Sequence, residues 1–220
     1  MTILAITGMQ REAKLLRGRS DVIVVGSDNS TLASKIEAAI DRGARAILSF
    51  GICGALSPEF AVGAVVVGTG VVCQSERWRV DETWINALAS TCGAASGFVA
   101  GSDVVLLTEE LKAALHQQTG AIAADMESHI VARVASAPGL PFAVLRAVSD
   151  DANHPLPPAA AFALNKEGHI DYSAVMLSLL DDPSQIGALI RTARDTSTAL
   201  KALLRCLERL GPGLGCPYLV

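Results

Sequence analysis

A three-layer α/β/α sandwich around a central mixed sheet is the fold class that these 220 residues predict, and three observations carry that expectation. Short apolar runs bounded by glycine or polar residues alternate with longer stretches of helical periodicity. The apolar runs are continuous rather than alternating, as strands covered on both faces require. Half the residues are hydrophobic and only 18% are charged, which suits one domain over residues 1–220 with a sizeable core between layers.

Taken in order, Ile3–Thr7 opens the chain as a strand and Asp21–Gly26 supplies a second. Ser30–Asp41 has helical spacing, and Arg45–Phe50 and Ala64–Thr69 are the next strands. Glu82–Ser90, Thr108–Gln117 and Met126–Ala135 are expected helices, interleaved with strands at Phe98–Gly101, Ala121–Ala124 and Phe142–Ala147. Asn153–Gly168 contains Pro155, Pro157 and Pro158, which exclude a regular helix through it. A loop of that length in a compact domain is usually a lid or a binding element. Ser184–Leu210 is a long helix with Ser184 as the expected N-cap. Its apolar side is Ile186, Leu189, Ile190, Ala193, Leu200, Leu203, Leu204 and Leu207, and Arg191, Arg194, Lys201, Arg205 and Arg209 crowd the rest. That basic face is either solvated or offered to an anionic membrane surface, a peripheral contact rather than a span.

Several function classes are set aside. A net charge of −4 gives no basic surplus for nucleic acid. The five cysteines (Cys53, Cys73, Cys92, Cys206 and Cys216) are odd in number and form no CxxC pair. They are expected as small buried apolar residues in a reducing cytoplasm. MTILAITG carries no basic leader and its apolar run is only strand-length, so neither a signal peptide nor a membrane span is expected. His116, His129, His154 and His169 show no ligand spacing for a metal. The turn after the first strand lacks the GxGxxG of a flavin or nicotinamide site. No metal and no cofactor are therefore expected, with phosphate entering only as a co-substrate.

Chemistry in α/β folds gathers where strands end, and four strand ends stand out. Thr7-Gly8-Met9-Gln10-Arg11-Glu12 follows the first strand; its Glu12 is a candidate acid or, as a glutamate near a helix start more often is, a partner for the helix dipole. Ser49-Phe50-Gly51-Ile52-Cys53-Gly54 has two glycines three apart that can offer backbone N–H groups or simply form a tight turn. Ala124-Asp125-Met126-Glu127-Ser128 delivers two acids to the mouth of a helix, where one or both can act as caps. Arg146-Ala147-Val148-Ser149-Asp150-Asp151 ends an apolar strand in a serine and two acids just before the proline-rich loop, a placement suited to a general acid.

GMQREA near residue 8, SFGICGALSP at 49–58, GSD at 101–103, ADMES at 124–128 and RAVSDDAN at 146–153 together resemble the purine nucleoside phosphorylase superfamily, and most nearly its methylthioadenosine/S-adenosylhomocysteine nucleosidase branch. Within it, SFGICGALSP and the stretch from NHPLPPAA to DYSAVMLSLLDDPSQIGALIRTARDTS resemble the hopanoid-associated phosphorylase group. The resemblance implies a nucleoside phosphorylase-like fold and a homo-oligomer. It also implies release of adenine from a 5′-substituted adenosine such as adenosylhopane.

Breaking the N9–C1′ bond leaves a cationic ribose and an anionic purine, so an acid must protonate N7 and negative charge must face the sugar. By resemblance Asp150 is that acid, oriented by Ser149, and Glu127 grips the ribose with Met126 packed beside it. Glu12 activates water on the opposite face. Gly51 belongs to the glycine turn of SFGICGALSP and is a candidate to offer its backbone to the substrate. Family nucleosidases set an aromatic against adenine; here Val104-Val105-Leu106 stands there, so apolar contact replaces stacking, with backbone groups of Val105 reading the adenine edge. Gly26-Ser27-Asp28-Asn29-Ser30 replaces a family GxGK-like element, and no role is carried over to it. Ser75 and Arg77 are candidates for a nucleophile or phosphate pocket, and Arg11 and Arg146 are further phosphate candidates. Because Glu12 would repel a phosphate dianion, water is the expected nucleophile and phosphorolysis the alternative. Leu156, Pro157, Pro158 and Phe162 are expected to form a greasy mouth for a bulky 5′ group, the alternative being a loop folded onto a neighbouring subunit. A protein that binds a nucleoside without cutting it is the reading from a different class; three retained carboxylates argue against it.

Overall fold

The computed structural model describes residues 2–26, 29–162, 165 and 168–218. Among the described residues the chain runs β1 (Thr2–Thr7), α1 (Gln10–Leu15), β2 (Val22–Gly26), α2 (Asn29–Asp41), β3 (Ala44–Ala55), β4 (Val65–Cys73) and β5 (Glu76–Arg79). It continues through α3 (Glu82–Cys92), β6 (Ala95–Gly101), α4 (Glu109–Thr119), β7 (Ala123–Asp125), α5 (Ser128–Ser136), β8 (Phe142–Asp150), α6 (Tyr172–Asp181) and α7 (Ile186–Leu210).

The sheet is mixed, with helices on both sides. Ile3, Leu4, Ala5 and Ile6 are all fully buried, which is why β1 is an unbroken apolar run: each face of the strand meets a layer. β2, β1, β3 and β8 run parallel. β8 also pairs antiparallel with β4; β4 pairs with β6, β6 with β7, and β7 returns to β3. Five strands thus close into a ring, a curvature that the periodicity of single strands does not reveal.

Several strands run further than their apolar cores. β3 extends past Phe50 to Ala55 because Gly51–Gly54 still pair with Arg146–Asp150 of β8. That register sets Gly51 opposite Arg146 and, after an irregularity at Cys53/Gly54, Gly54 opposite Asp150. β5 is a polar strand in a hairpin with β4; its Glu-Arg-Trp-Arg sequence carries no apolar run to announce it.

The expected loop at Asn153–Gly168 holds a 3-10 turn at Pro158–Phe162; residues 163, 164, 166 and 167 lie outside the described residues. Helix α6 follows, capped by Asp171, whose side chain accepts from the Ala174 N–H. Ser184 is not the cap of the last helix, contrary to expectation. Asp182 accepts from the Ser184 N–H at 3.0 Å and starts a 3-10 turn at Pro183–Gln185, so α7 begins at Ile186. The carboxylate is the better acceptor, and Pro183 has no N–H to satisfy.

The apolar side of α7 also divides. Leu200, Leu203 and Leu207 are buried against the body, whereas Ile186, Ile190 and Leu204 are exposed. All five cysteines are buried. No described helix is long and apolar enough to cross a membrane.

Candidate active site

A cavity of about 400 Å³ opens at the ends of β1, β3 and β8, within the range that holds a nucleoside-sized ligand. Of the residues singled out from sequence, Glu12, Val105, Met126, Glu127, Ser149 and Asp150 all line it. They come from four separate stretches of chain, and the fold brings them together.

Glu12 sits in the first turn of α1 and is 1% exposed. Its Oε2 accepts from the N–H groups of Gly8 (3.0 Å) and Met9 (2.8 Å), and its Oε1 accepts from the N–H of Ile52 (2.8 Å). It therefore satisfies helix-terminal donors and faces the cavity at once. Burial pushes its pKa up, while the Arg146 guanidinium and the three backbone donors pull it back.

Arg146 is fully buried on β8 and gathers the acids around it. Its Nε lies 2.7 Å from Asp125 Oδ2, and its Nη2 lies 3.2 Å from Glu127 Oε2 and 2.6 Å from Ser49 Oγ. Burial opposes its charge, but Asp125, Glu127 and Glu12 outweigh that and hold its pKa above the usual value. Three carboxyl groups face one guanidinium, and burial, joined at Glu127 by repulsion from its neighbours, makes Glu12 and Glu127 hold their protons more tightly than usual. Glu127 shows the strain of this crowd: burial, with Asp125 and Glu12 adding to it against Arg146, pushes its pKa up to about 7. Asp125 takes the structural part, accepting from the Ser128 N–H at 2.9 Å at the start of α5.

Asp150, which also lines the cavity, ends β8. Ser149 Oγ lies 3.0 Å from Asp150 Oδ1 and 3.2 Å from the Cys53 carbonyl oxygen. The other oxygen, Oδ2, lies 2.8 Å from Lys112 Nζ. Cys53 also lines the cavity, but burial pushes its thiol pKa up and makes it a poor nucleophile.

The glycines explain how charge fits here. A Cβ at Gly51 would lie 2.5 Å from Glu12 Oε1 and 2.7 Å from Arg146 Nη1, and one at Gly54 would lie 2.8 Å from Asp150 Oδ2. A Cβ at Gly8 would collide with Glu127 Oε1. Each of the three cavity carboxylates occupies space that a glycine leaves empty. Gly51 is thus a clearance beneath the site rather than part of its lining.

The remaining candidates stand elsewhere. Ser75 lies in the turn between β4 and β5, and Arg77 on β5 donates to the Thr119 carbonyl at 3.0 Å and stacks over Phe98. Neither lines the cavity. Of the arginines considered for phosphate, Arg146 is engaged by carboxylates, and Arg11 lines the cavity with its Nη2 3.3 Å from Ser197 Oγ. No group of three or more potential metal ligands occurs among the described residues.

The other end of the cavity is apolar. Val104, Leu106, Leu156, Ala160, Ile170, Val175 and Leu189 line it, with Tyr172 at its edge. Of the four mouth residues expected from the loop, Leu156 is in place. Pro157 is buried and Pro158 exposed, neither lining the cavity, and the side chain of Phe162 lies outside the described residues. Ala160 and residues of α6 and α7 supply the wall instead. Sequence reasoning missed Lys112, which is 1% exposed. Its one signal was position: it precedes Leu115 and Thr119 by three and seven residues, on the inward face of α4.

Fold and site together define a protein with a nucleoside-sized cavity walled by acids at the ends of a mixed sheet. The chain belongs to the phosphorylase superfamily, whose family model matches residues 3–181. No curated protein sequence matches it. Among solved structures it is similar to the S-adenosylhomocysteine nucleosidase of Streptococcus pyogenes, bound to 5-methylthiotubericidin, with TM-score 0.70, 18% identity and coverage of 96% of this chain and 98% of that one. It is also similar to the 5′-methylthioadenosine/S-adenosylhomocysteine nucleosidase of Neisseria meningitidis, bound to methylthio-immucillin-A (TM-score 0.68, 19% identity, 93% and 96% covered). A third is the futalosine hydrolase of Helicobacter pylori (TM-score 0.66, 17% identity, 94% and 97% covered).

Proposed function

We propose that this protein is an N-ribosyl hydrolase that releases adenine from a 5′-substituted adenosine. One observation carries the reading: Glu12, Glu127 and Asp150 converge on a single cavity, each in space cleared by a glycine. The solved structures that it resembles bear nucleosidase names and hold adenosine-like ligands, which supports the same substrate class.

The chemistry follows from the charges. As the N9–C1′ bond breaks, its electron pair goes to the purine, and Asp150 gives N7 a proton so that the purine leaves neutral. The cationic ribose forms beside Glu127 and Glu12, whose negative charge stabilises it more than it stabilises the neutral substrate. Water then attacks C1′ and Glu12 takes its proton, the two acids serving opposite faces as in inverting glycosidases. Met126 lines the sugar pocket, Gly51 leaves the room that Glu12 and Arg146 occupy behind it, and Val105 contacts adenine.

Water is preferred over phosphate because the sugar end already holds three carboxylates against one arginine. The apolar end supports a bulky hydrophobic 5′ substituent, adenosylhopane being the particular substrate proposed, with the enzyme acting as a cytoplasmic homo-oligomer. Adenine release from adenosylhopane and from methylthioadenosine, each with and without phosphate, tests this. Release without phosphate and a preference for the bulky substrate are expected. Strict phosphate dependence would make it a phosphorylase, and preference for methylthioadenosine would remove the lipid substrate. Tight nucleoside binding with no release would leave a binding protein.

A further inference from the structure

Lys112 has no part in that reading, yet it is bound to the acid on which the reading depends. It is 1% exposed on α4, and its Nζ lies 2.8 Å from Asp150 Oδ2. The same ammonium donates to the backbone carbonyls of Asp151 (2.7 Å) and His154 (3.1 Å). An ammonium has three N–H bonds, and here three acceptors meet them. Burying a lysine costs several kcal/mol unless it is partnered in this way, so packing alone does not account for it.

The choice of acceptors is informative. One is the carboxylate at the cavity; the other two are backbone carbonyls, three residues apart, of the segment that leads to Leu156 and Ala160 in the cavity wall. That segment is further pinned by the Leu156 N–H, which donates to the Leu107 carbonyl at 2.8 Å. With Ser149 on Oδ1 and Lys112 on Oδ2, both oxygens of Asp150 are fixed.

Resting on the nucleosidase reading, we propose that Lys112 is the positioning residue of the general acid: it aims Asp150 at the purine and stabilises the carboxylate left after N7 has taken the proton. The transferred proton comes from Asp150 alone, the N9–C1′ electron pair leaves with the purine, and Lys112 keeps its three hydrogens throughout. Its contribution is confined to reactions in which the leaving group must be protonated.

That restriction supplies the test. Two substrates carry the same 5′-octylthio group: 5′-octylthioadenosine, whose adenine needs a proton, and the matching p-nitrophenyl riboside, whose phenolate departs without one. Lys112→Met should lose about 10- to 100-fold in kcat on the adenosine, a part of the 10²–10⁴ range of a positioned acid. Its turnover of the p-nitrophenyl riboside should stay within about twofold on the same ground. Asp150→Asn should give the same pattern, more strongly. Lys112→Gln keeps an N–H donor for the carbonyls while removing the charge and one atom of reach, so it reports the same selectivity if Lys112→Met does not fold. Combined with Asp150→Asn, it should add no further loss, because the two act as one unit. Equal losses on both substrates, or additive losses in the double variant, would make Lys112 structural and overturn the proposal. Wild-type protein that turns over neither substrate would instead remove the nucleosidase reading itself, a result distinguishable from the first.

Discussion

The two ends of the cavity are built on different principles. At the carboxylate end, Glu12, Asp125 and Arg146 are buried and Glu127 is partly buried, each held by named partners at hydrogen-bond distance. At the mouth, α6 contributes no buried residue, and Tyr172 and Leu180 are 73% and 74% exposed. Hydrogen bonds and ion pairs are directional and fix atoms to a fraction of an ångström; apolar contact is not directional and fixes only volume and polarity. The first end is thereby suited to bond breaking, and the second to whatever is attached to the 5′ carbon. Substitutions at the first should change rate irrespective of the 5′ group, and substitutions at the second should change only the choice of 5′ group.

The largest expected effect is at Glu12. Glu12→Gln keeps the shape but removes the base and should lower adenine release by about 10²–10⁴-fold, equally for short and long 5′ groups, measured as kcat on each. An effect that depended on the 5′ group would blur the division.

Next comes pH. The folded pKa of Glu127, about 7, lies above the ordinary 4.5. The folded chain therefore binds a proton that the unfolded chain has released, a contribution to stability fully present below about 4.5 and lost as pH rises through about 7. Denaturant melts between pH 5 and 8 should show wild type losing up to about 3 kcal/mol relative to Glu127→Gln. Activity should rise over the same interval as the ionised, ribose-facing carboxylate appears. A stability difference independent of pH would contradict the origin assigned here.

A pair of glycines sharpens the contrast further. Gly51→Ala should cost about 1–3 kcal/mol, because its Cβ meets Glu12 and Arg146. Gly187→Ala, in α7 with nothing within 4 Å of its Cβ, should instead stabilise by about 0.5–1 kcal/mol. Thermal melts of the two variants check both signs. The smallest effect belongs to the mouth: Leu189→Ser should reduce kcat/KM for a long apolar 5′ group about tenfold while leaving methylthioadenosine within about twofold.

These two ends also differ in how far they can be read from sequence. The carboxylate end was legible because each acid follows an apolar run closed by small residues, so the strand end and the acid are adjacent along the chain. The purpose of Gly51 and Gly54 was not legible. They clear side chains that come from α1 and β8, and only the register of β3 on β8 reveals the pairing. Lys112 was hidden for a related reason: one lysine among the polar residues of Glu109–Thr119 resembles a solvated position until β8 is packed against it. The mouth was read only as a property of composition. The prolines correctly excluded a long helix, but the wall came from Ala160, Ile170, Val175 and Leu189, whose apolar character fits ordinary core packing equally well. Ser75 and Arg77 marked a polar hairpin away from the cavity because β5 gives no apolar signal of its own.

The central claim is that Asp150 protonates the leaving adenine while water takes the sugar. It is tested most directly by single-turnover adenine release from a 5′-alkylthioadenosine in phosphate-free buffer, comparing wild type with Asp150→Asn. Release by wild type without phosphate, and a loss of about 10²–10⁴-fold in the variant, is the predicted result. Undiminished release by Asp150→Asn, or none by wild type until phosphate is added, would contradict it.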